Sequence, residues 1–135
     1  MIIHIIFTIT LSNRISSKMI YRIPLVTNVL LKNLVARARP FAVIDSLTPL
    51  IAKPTDFSFP SGHTAASFAS VTALYLAGEK KLWIPALVLA VLIAFSRLYL
   101  YVHYPTDVLV GFVVALVGSS LAVWGVRTKL GNIKR

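Results

Sequence analysis

Apolar residues run almost unbroken through three stretches in the second half of the chain, His63 to Ala77, Leu82 to Tyr101 and Asp107 to Val126, and polar residues gather at the joints. A bilayer crossing takes ~20 mostly apolar residues, so each stretch reads as a span, the first slightly short. Gly78-Glu79-Lys80-Lys81 is a tight polar turn, and Tyr104-Pro105 marks a break and a fresh helix start. The three segments therefore predict an up-down-up series. Upstream, Met19 to Ala38 carries apolar residues at Ile20, Ile23, Val26, Leu30 and Leu34, with Lys32 inside it and Arg39 just past its end. That pattern suits a helix partly facing a polar cavity, with a kink at Pro24. Met1 to Ser12 is apolar but falls below the ~17 residues a span needs, and is expected to form an incomplete helix or a surface segment. It has neither the basic n-region nor the small-residue cleavage site of a signal peptide. Phe41 to Pro60, with Pro49, Pro54, Pro60 and the polar run Lys53 to Ser58, should lie outside the hydrocarbon, over the helix ends. The whole predicts an all-α transmembrane helical bundle: about four spans plus a short N-terminal apolar segment, as one domain over 1–135 with 1–18 unassigned.

Composition agrees with a lipid solvent. Of 135 residues 57% are hydrophobic and 13% charged, with a mean hydropathy of +0.81, unusual for a water-soluble domain. Without cysteine, disulfides, thiolate metal sites and thiol nucleophiles are all excluded. The net charge of +10 would suggest nucleic acid in a soluble protein, so the placement of the fourteen basic residues decides its meaning. Nine fall in Arg14 to Arg22, Lys80-Lys81 and Arg127 to Arg135, short segments flanking apolar stretches. No basic helix face with interleaved aromatics appears, so the bilayer, not nucleic acid, is the expected partner. By the positive-inside rule the side holding those three segments is cytoplasmic. The Arg39 end, the loop through His63 and the turn from Arg97 to Asp107 then converge on the extracytoplasmic face.

Three chain segments bring chemistry to that face: Lys32 with Arg39-Pro40, then Pro60-Ser61-Gly62-His63, then Ser96-Arg97 with His103 and Asp107. A phosphoryl group spreads negative charge over its oxygens; arginine answers it with a bidentate fork and lysine with a point charge. Ser61 and Gly62 at a helix start add a hydroxyl and close backbone N–H groups where the macrodipole favours an anion. His103 and Asp107 are one helical turn apart, so the carboxylate can accept from one ring nitrogen and leave the other as a lone pair aimed at phosphorus. His63, on a separate segment, is placed to protonate the leaving oxygen.

Singly, Lys32, Arg39 and Arg97 would read as snorkelling cations at span ends, Ser61 as an N-cap, and Asp107 as a residue complementing a helix dipole. Their joint spacing favours the site. Arg37 is expected to face solvent or headgroups, Lys53 and Asp56 to be solvated loop charges, and Tyr99, Tyr101, Tyr104, Trp83 and Trp124 to form an interfacial belt. His4 is given no role.

With those residues in place, the sequence resembles the type 2 phosphatidic acid phosphatase family, whose signature is Lys-x6-Arg-Pro, Pro-Ser-Gly-His and Ser-Arg-x5-His-x3-Asp. Here Lys32 to Arg39 has six intervening residues, Arg97 to His103 five and His103 to Asp107 three. The resemblance implies that Lys32, Arg39, Ser61, Gly62 and Arg97 bind phosphate, His63 is the acid, His103 the nucleophile and Asp107 its partner, with no metal or other cofactor. It implies hydrolysis of a lipid phosphomonoester or diphosphate, such as undecaprenyl diphosphate, phosphatidylglycerol phosphate or phosphatidic acid, in a bacterial inner membrane with the site extracytoplasmic. Membrane members usually have about six spans, so helices before the first motif are expected to be missing or remodelled, and association of two copies is left open. The rival expectations are a truncated, non-catalytic relative and a vanadate-dependent haloperoxidase, against which the apolar spans argue.

Overall fold

The computed structural model describes residues 26 and 28–133, with 129–133 described by backbone alone. The expected N-terminal segment 1–12, and all of the proposed first span before residue 26, lie outside the described residues. Among the described residues five helices follow in order: α1, whose described residues include 28–35; α2, Pro40–Val43; α3, Gly62–Leu76; α4, Trp83–Tyr99; and α5, Pro105–Ile133. Among the described residues there is no strand, as the all-α reading requires.

Small residues explain why these helices approach closely. Ala65, Ala69 and Ala73 repeat every four positions on α3, each at most 2% exposed. They meet Ala90 and Ala94 of α4, and Gly111, Ala115 and Ser119 of α5, likewise four apart and buried. Short side chains at this spacing let helix backbones come together, the packing mode expected where lipid removes the hydrophobic drive between helices. Phe68 and Phe112 fill the space beside the stripe edge to face, with centroids 4.8 Å apart. Thus α3 is the central helix, packed along α5 and, less extensively, α4.

The tightest point is Gly111, where an added Cβ would stand 2.7 Å from the Ser61 carbonyl oxygen and 3.3 Å from Thr64 Cβ. Ser61 N also donates to the Asp107 carbonyl at 3.0 Å, so α5 and the start of α3 are locked together at their shared end. Gly111→Ala forces one of two rigid backbones to move. It should destabilise the fold by about 1–3 kcal/mol, read as a lower thermal midpoint in detergent.

The helix ends follow local rules. Ser61 caps α3, its hydroxyl accepting from Thr64 N. Gly78, with φ +79°, supplies the left-handed residue that closes α3, Gly78 N donating to Tyr75 O and Glu79 N to Leu74 O. Pro105 opens α5, and Asp107 in its first turn reaches back to accept from Tyr104 N at 2.8 Å, half of a capping box. The helix boundaries are close to the expected ones except that α1 ends at residue 35 rather than Ala38 and α5 runs past Val126 to Ile133.

Helix length distinguishes the helices as crossings. Among the described residues only Pro105–Thr128 is both long and apolar enough to cross a bilayer; α4, with 17 residues, is apolar but shorter, and α3 has 15. The outer faces are apolar nonetheless. Ile84, Val88, Leu92, Phe95 and Tyr99 on α4, and Leu109, Val113, Val117, Leu121 and Trp124 on α5, repeat at about four residues and are all exposed. A stripe this extensive matches a lipid or protein neighbour better than water.

Candidate active site

The starts of α3 and α5, the end of α4 and the chain after α1 meet at one end of the bundle; the Lys80-Lys81 turn and Arg127, which donates to Leu76 O, stand at the other. This is the segregation the hairpin pattern predicted. At the meeting point a cleft of about 500 Å³ is lined by Lys32, Arg39, Gly62, His63, Arg97 and His103, with Asn28 and Asp56. Six of the eight residues singled out from sequence thus share its wall. The other two stand behind it. Ser61 is fully buried with its hydroxyl turned to Thr64 Oγ1, 2.9 Å away, in the capping role. Asp107, also fully buried, stands behind His103.

Arg39 organises the wall. Its Nε donates to Asp56 O (2.9 Å), Nη1 to Val102 O (2.7 Å) and Nη2 to Asp56 Oδ1 (2.6 Å), while Nη1 is 3.4 Å from His103 Nε2. One buried guanidinium therefore ties the loop before α3 to the turn before α5, and stands beside His103 Nε2. Arg97 instead has only the neighbouring Ser96 hydroxyl as a side-chain partner among the described residues, so its charge is available to a ligand.

His103 is 5% exposed. Its Nδ1 faces Asp107 Oδ2 at 3.6 Å, close enough for charge to be felt but longer than a hydrogen bond. Burial pushes the imidazole well below its ordinary value, the Arg39 cation pushes it further, and the Asp107 charge opposes both without prevailing. The ring is therefore neutral at neutral pH, the form a nucleophile needs.

One expectation is extended and one corrected. Asp56 is exposed in the loop as expected, its side chain 55% accessible, but it is also paired: its carboxylate bridges Lys32 Nζ and Arg39 Nη2, each at 2.6 Å. Burial would raise its pKa, but the hydrogen bonds from Lys32 and Arg39 outweigh that and hold it at about 2. Arg37, expected to face solvent or headgroups, turns inward instead, with its side chain 37% exposed. Its Nη1 donates to Asp107 Oδ1 (2.9 Å) and Thr106 Oγ1 (2.7 Å), and its guanidinium lies 3.9 Å over the Tyr104 ring, which takes Tyr104 from the aromatic belt into the site. Sequence reasoning also passed over Asn28, one turn before Lys32 on α1, 5% exposed, with its amide nitrogen unpartnered among the described residues. Its i,i+4 relation to Lys32 was the available signal.

Cations and two histidines gathered at one end of an apolar helical bundle define the class: helical proteins with an anion-complementary cleft. Within it, the chain belongs to the PAP2 superfamily, which matches residues 3–130. Among its relatives, an undecaprenyl-diphosphatase of Sulfolobus acidocaldarius is 37% identical over 105 residues, covering 77% of this chain and 50% of the relative. Phosphatidylglycerophosphatase B of Bacillus subtilis is 40% identical over 100 residues, covering 67% and 46%. The chain thus spans about half the length of the curated relatives it matches. In structure it is similar to a transmembrane PAP2-type phosphatidylglycerolphosphate phosphatase from Bacillus subtilis, with a TM-score of 0.70 and 31% identity over 99% of this chain and 69% of that one. It shares its fold with Aquifex aeolicus LpxE, with a TM-score of 0.77 and 24% identity over 90% and 73%.

Proposed function

We propose that the chain is a membrane lipid phosphatase that removes phosphate from a lipid phosphomonoester or diphosphate through a phosphohistidine. The observation that carries this reading is the single cleft that joins Lys32, Arg39 and Arg97 to His63 and His103. Cations from α1, the segment that follows it and α4 complement a phosphoryl group whose charge spreads over three oxygens in the transition state. His103 Nε2 attacks phosphorus and the bond to the leaving oxygen breaks, that oxygen taking a proton from His63. Water, giving its proton back to His63, then attacks the phosphohistidine; the P–N bond breaks and inorganic phosphate leaves. Relatives named for undecaprenyl diphosphate and phosphatidylglycerophosphate support lipid phosphates as the substrate class, with phosphatidic acid in the same chemical group.

The exposed apolar stripes of α4 and α5 support a bundle sitting in the bilayer as one domain of about four crossings, in which α3 and α4 are completed by flanking turns. The basic turn and Arg127, at the end opposite the cleft, support an extracytoplasmic site in a bacterial inner membrane. Phosphate release by the purified chain in detergent, measured across these three lipids, tests the function. Release from at least one is expected; a folded sample that releases none would overturn the reading and favour a non-catalytic relative.

Asp56 bears on the same cations. A phosphoryl group reaching Lys32 and Arg39 competes with a carboxylate already there, so Asp56→Asn is expected to tighten inhibition by orthovanadate. Exposed ion pairs are worth ~1 kcal/mol or less, which puts the gain at about two- to fivefold in inhibition constant.

A further inference from the structure

Arg37 and Arg39 flank an exposed Ala38 in the chain that leaves α1. The turn is made by Ala36, with φ +49° and its N–H donating to Lys32 O, and the segment beyond is pinned by Ser58 N donating to Arg37 O at 2.8 Å. Residues two apart in extended chain share a face. Here the two guanidiniums reach opposite ends of one pair: Arg39 stands 3.4 Å from His103 Nε2, and Arg37 donates to Asp107 Oδ1 at 2.9 Å. Arg39 lines the cleft; Arg37 does not.

Asp107 is the hub behind the ring. Its Oδ2 accepts from the Ser58 hydroxyl and from Tyr104 N, and faces His103 Nδ1. Those partners are neutral or, for the histidine, charged only when protonated. A fully buried carboxylate without a counter-charge is costly, and Arg37 is the one cation that bonds to it among the described residues. The guanidinium is fixed in turn by Thr106 Oγ1 and by the Tyr104 ring, so it is held at both its edge and its face.

We propose that Arg37 is a positioning residue of the His103–Asp107 pair: it acts through the Asp107 carboxylate, keeping Oδ2 turned to His103 Nδ1 and drawing the carboxylate's charge away from the ring, without touching the phosphoryl group. The inference rests on His103 being the nucleophile, as proposed above. The charged groups around His103 come from every neighbouring element: Lys32 on α1, Arg39 before α2, Asp56 in the loop, His63 on α3, Arg97 on α4 and Asp107 on α5. Removing Arg37 leaves all of these in place and strips the neutralisation from Asp107 alone. The unscreened carboxylate then favours the protonated imidazole, which cannot attack.

The test uses the full chain in detergent with short-chain phosphatidic acid, undecaprenyl diphosphate or phosphatidylglycerol phosphate, whichever the wild type turns over. It compares wild type, Arg37→Gln and Arg37→Lys across pH. Arg37→Gln is expected to lower kcat about 10- to 100-fold, the usual cost of losing the outer partner of a reacting group, with KM within about twofold. Its acid limb should move up by roughly 0.5–1 pH unit. Arg37→Lys should restore the limb but only part of kcat. A raised KM with kcat unchanged would make Arg37 a phosphate ligand and overturn the inference. In Arg37→Gln, a lowered kcat with an unmoved limb would do the same by reducing Arg37 to a structural residue. Should Arg37→Gln not fold, Arg37→Met is read by the same criteria, and a raised KM in Arg37→Lys overturns the inference. NMR titration of the His103 ring in labelled protein reads the same upward shift without turnover. If the wild type releases no phosphate the functional reading fails, while that titration still decides on Arg37.

Discussion

His103→Asn should abolish turnover while leaving the protein folded. Asparagine is smaller than histidine and retains a polar group toward Arg39 and Asp107, so the buried pocket, with His103 only 5% exposed, keeps a hydrogen-bonding occupant. It has no lone pair able to form a phosphoramidate. If the reaction passes through phosphohistidine, nothing else in the cleft replaces that step, since His63 lies on α3 and is assigned to the leaving oxygen. The loss expected for a covalent nucleophile is on the order of 10⁴-fold or more in kcat. Two further measurements separate chemistry from collapse. Binding of orthovanadate by His103→Asn should survive within about tenfold, because Lys32, Arg39 and Arg97 remain. His63→Ala should be slow on lipid alkoxide leaving groups and far less impaired on p-nitrophenyl phosphate, whose leaving group needs no proton. The pH profile carries the sign of the His103 shift: a ring held below its ordinary ~6.5 stays neutral into mild acid, so its protonation limb lies below that value. Wild-type hydrolysis by His103→Asn would end the phosphohistidine mechanism.

What sequence showed and what it hid divide along a physical line. His103 and Asp107, or Lys32 and Arg39, are close in the chain, and their fixed separations on or beside helices put them near one another whatever the rest does. The three segments meet because apolar runs joined by short turns must alternate direction. Asp56 answers to neither rule: its partners are 24 and 17 residues away, and only the path of the proline-rich loop brings it to them. Arg37 was hidden by a local event. Nothing in Leu34-Val35-Ala36 ends a helix by composition, yet α1 stops at residue 35 and Ala36 takes a left-handed φ of +49°, where the segment ties to Ser58. A helix continued to Ala38 would have turned Arg37 elsewhere. Similarly, α5 extends past Val126 because Arg127, Thr128 and Lys129 carry polar heads but no helix-stopping residue, and solubility and helicity are separate properties.

Arg39→Ala should be the most damaging of the cation replacements, and should differ in kind from Arg97→Ala. Removing the Arg39 guanidinium leaves Val102 O and Asp56 O without the donors that satisfy them, and Lys32 as the remaining cation on the Asp56 carboxylate. Charge-assisted hydrogen bonds contribute about 1.5–3 kcal/mol each, and unsatisfied buried acceptors cost a comparable amount, so a loss of several kcal/mol of stability is expected. The turn carrying His103 loses its tether to the loop at the same time. A drop on the order of 10³-fold in kcat/KM follows if Arg39 also stabilises the transferring phosphoryl group. Arg39→Lys keeps the charge but cannot reach the loop, the Val102 carbonyl and a phosphoryl oxygen together, so it should recover stability only in part and activity less. Arg97→Ala removes a cation whose side chain bonds, among the described residues, only to Ser96, so activity should fall with little change in thermal midpoint. Thermal unfolding and phosphate release, measured on the same three samples, distinguish the two arginines: equal stability losses would mean that Arg39 is not the tether its bonds describe, and equal activity with unequal stability would leave it a tether alone.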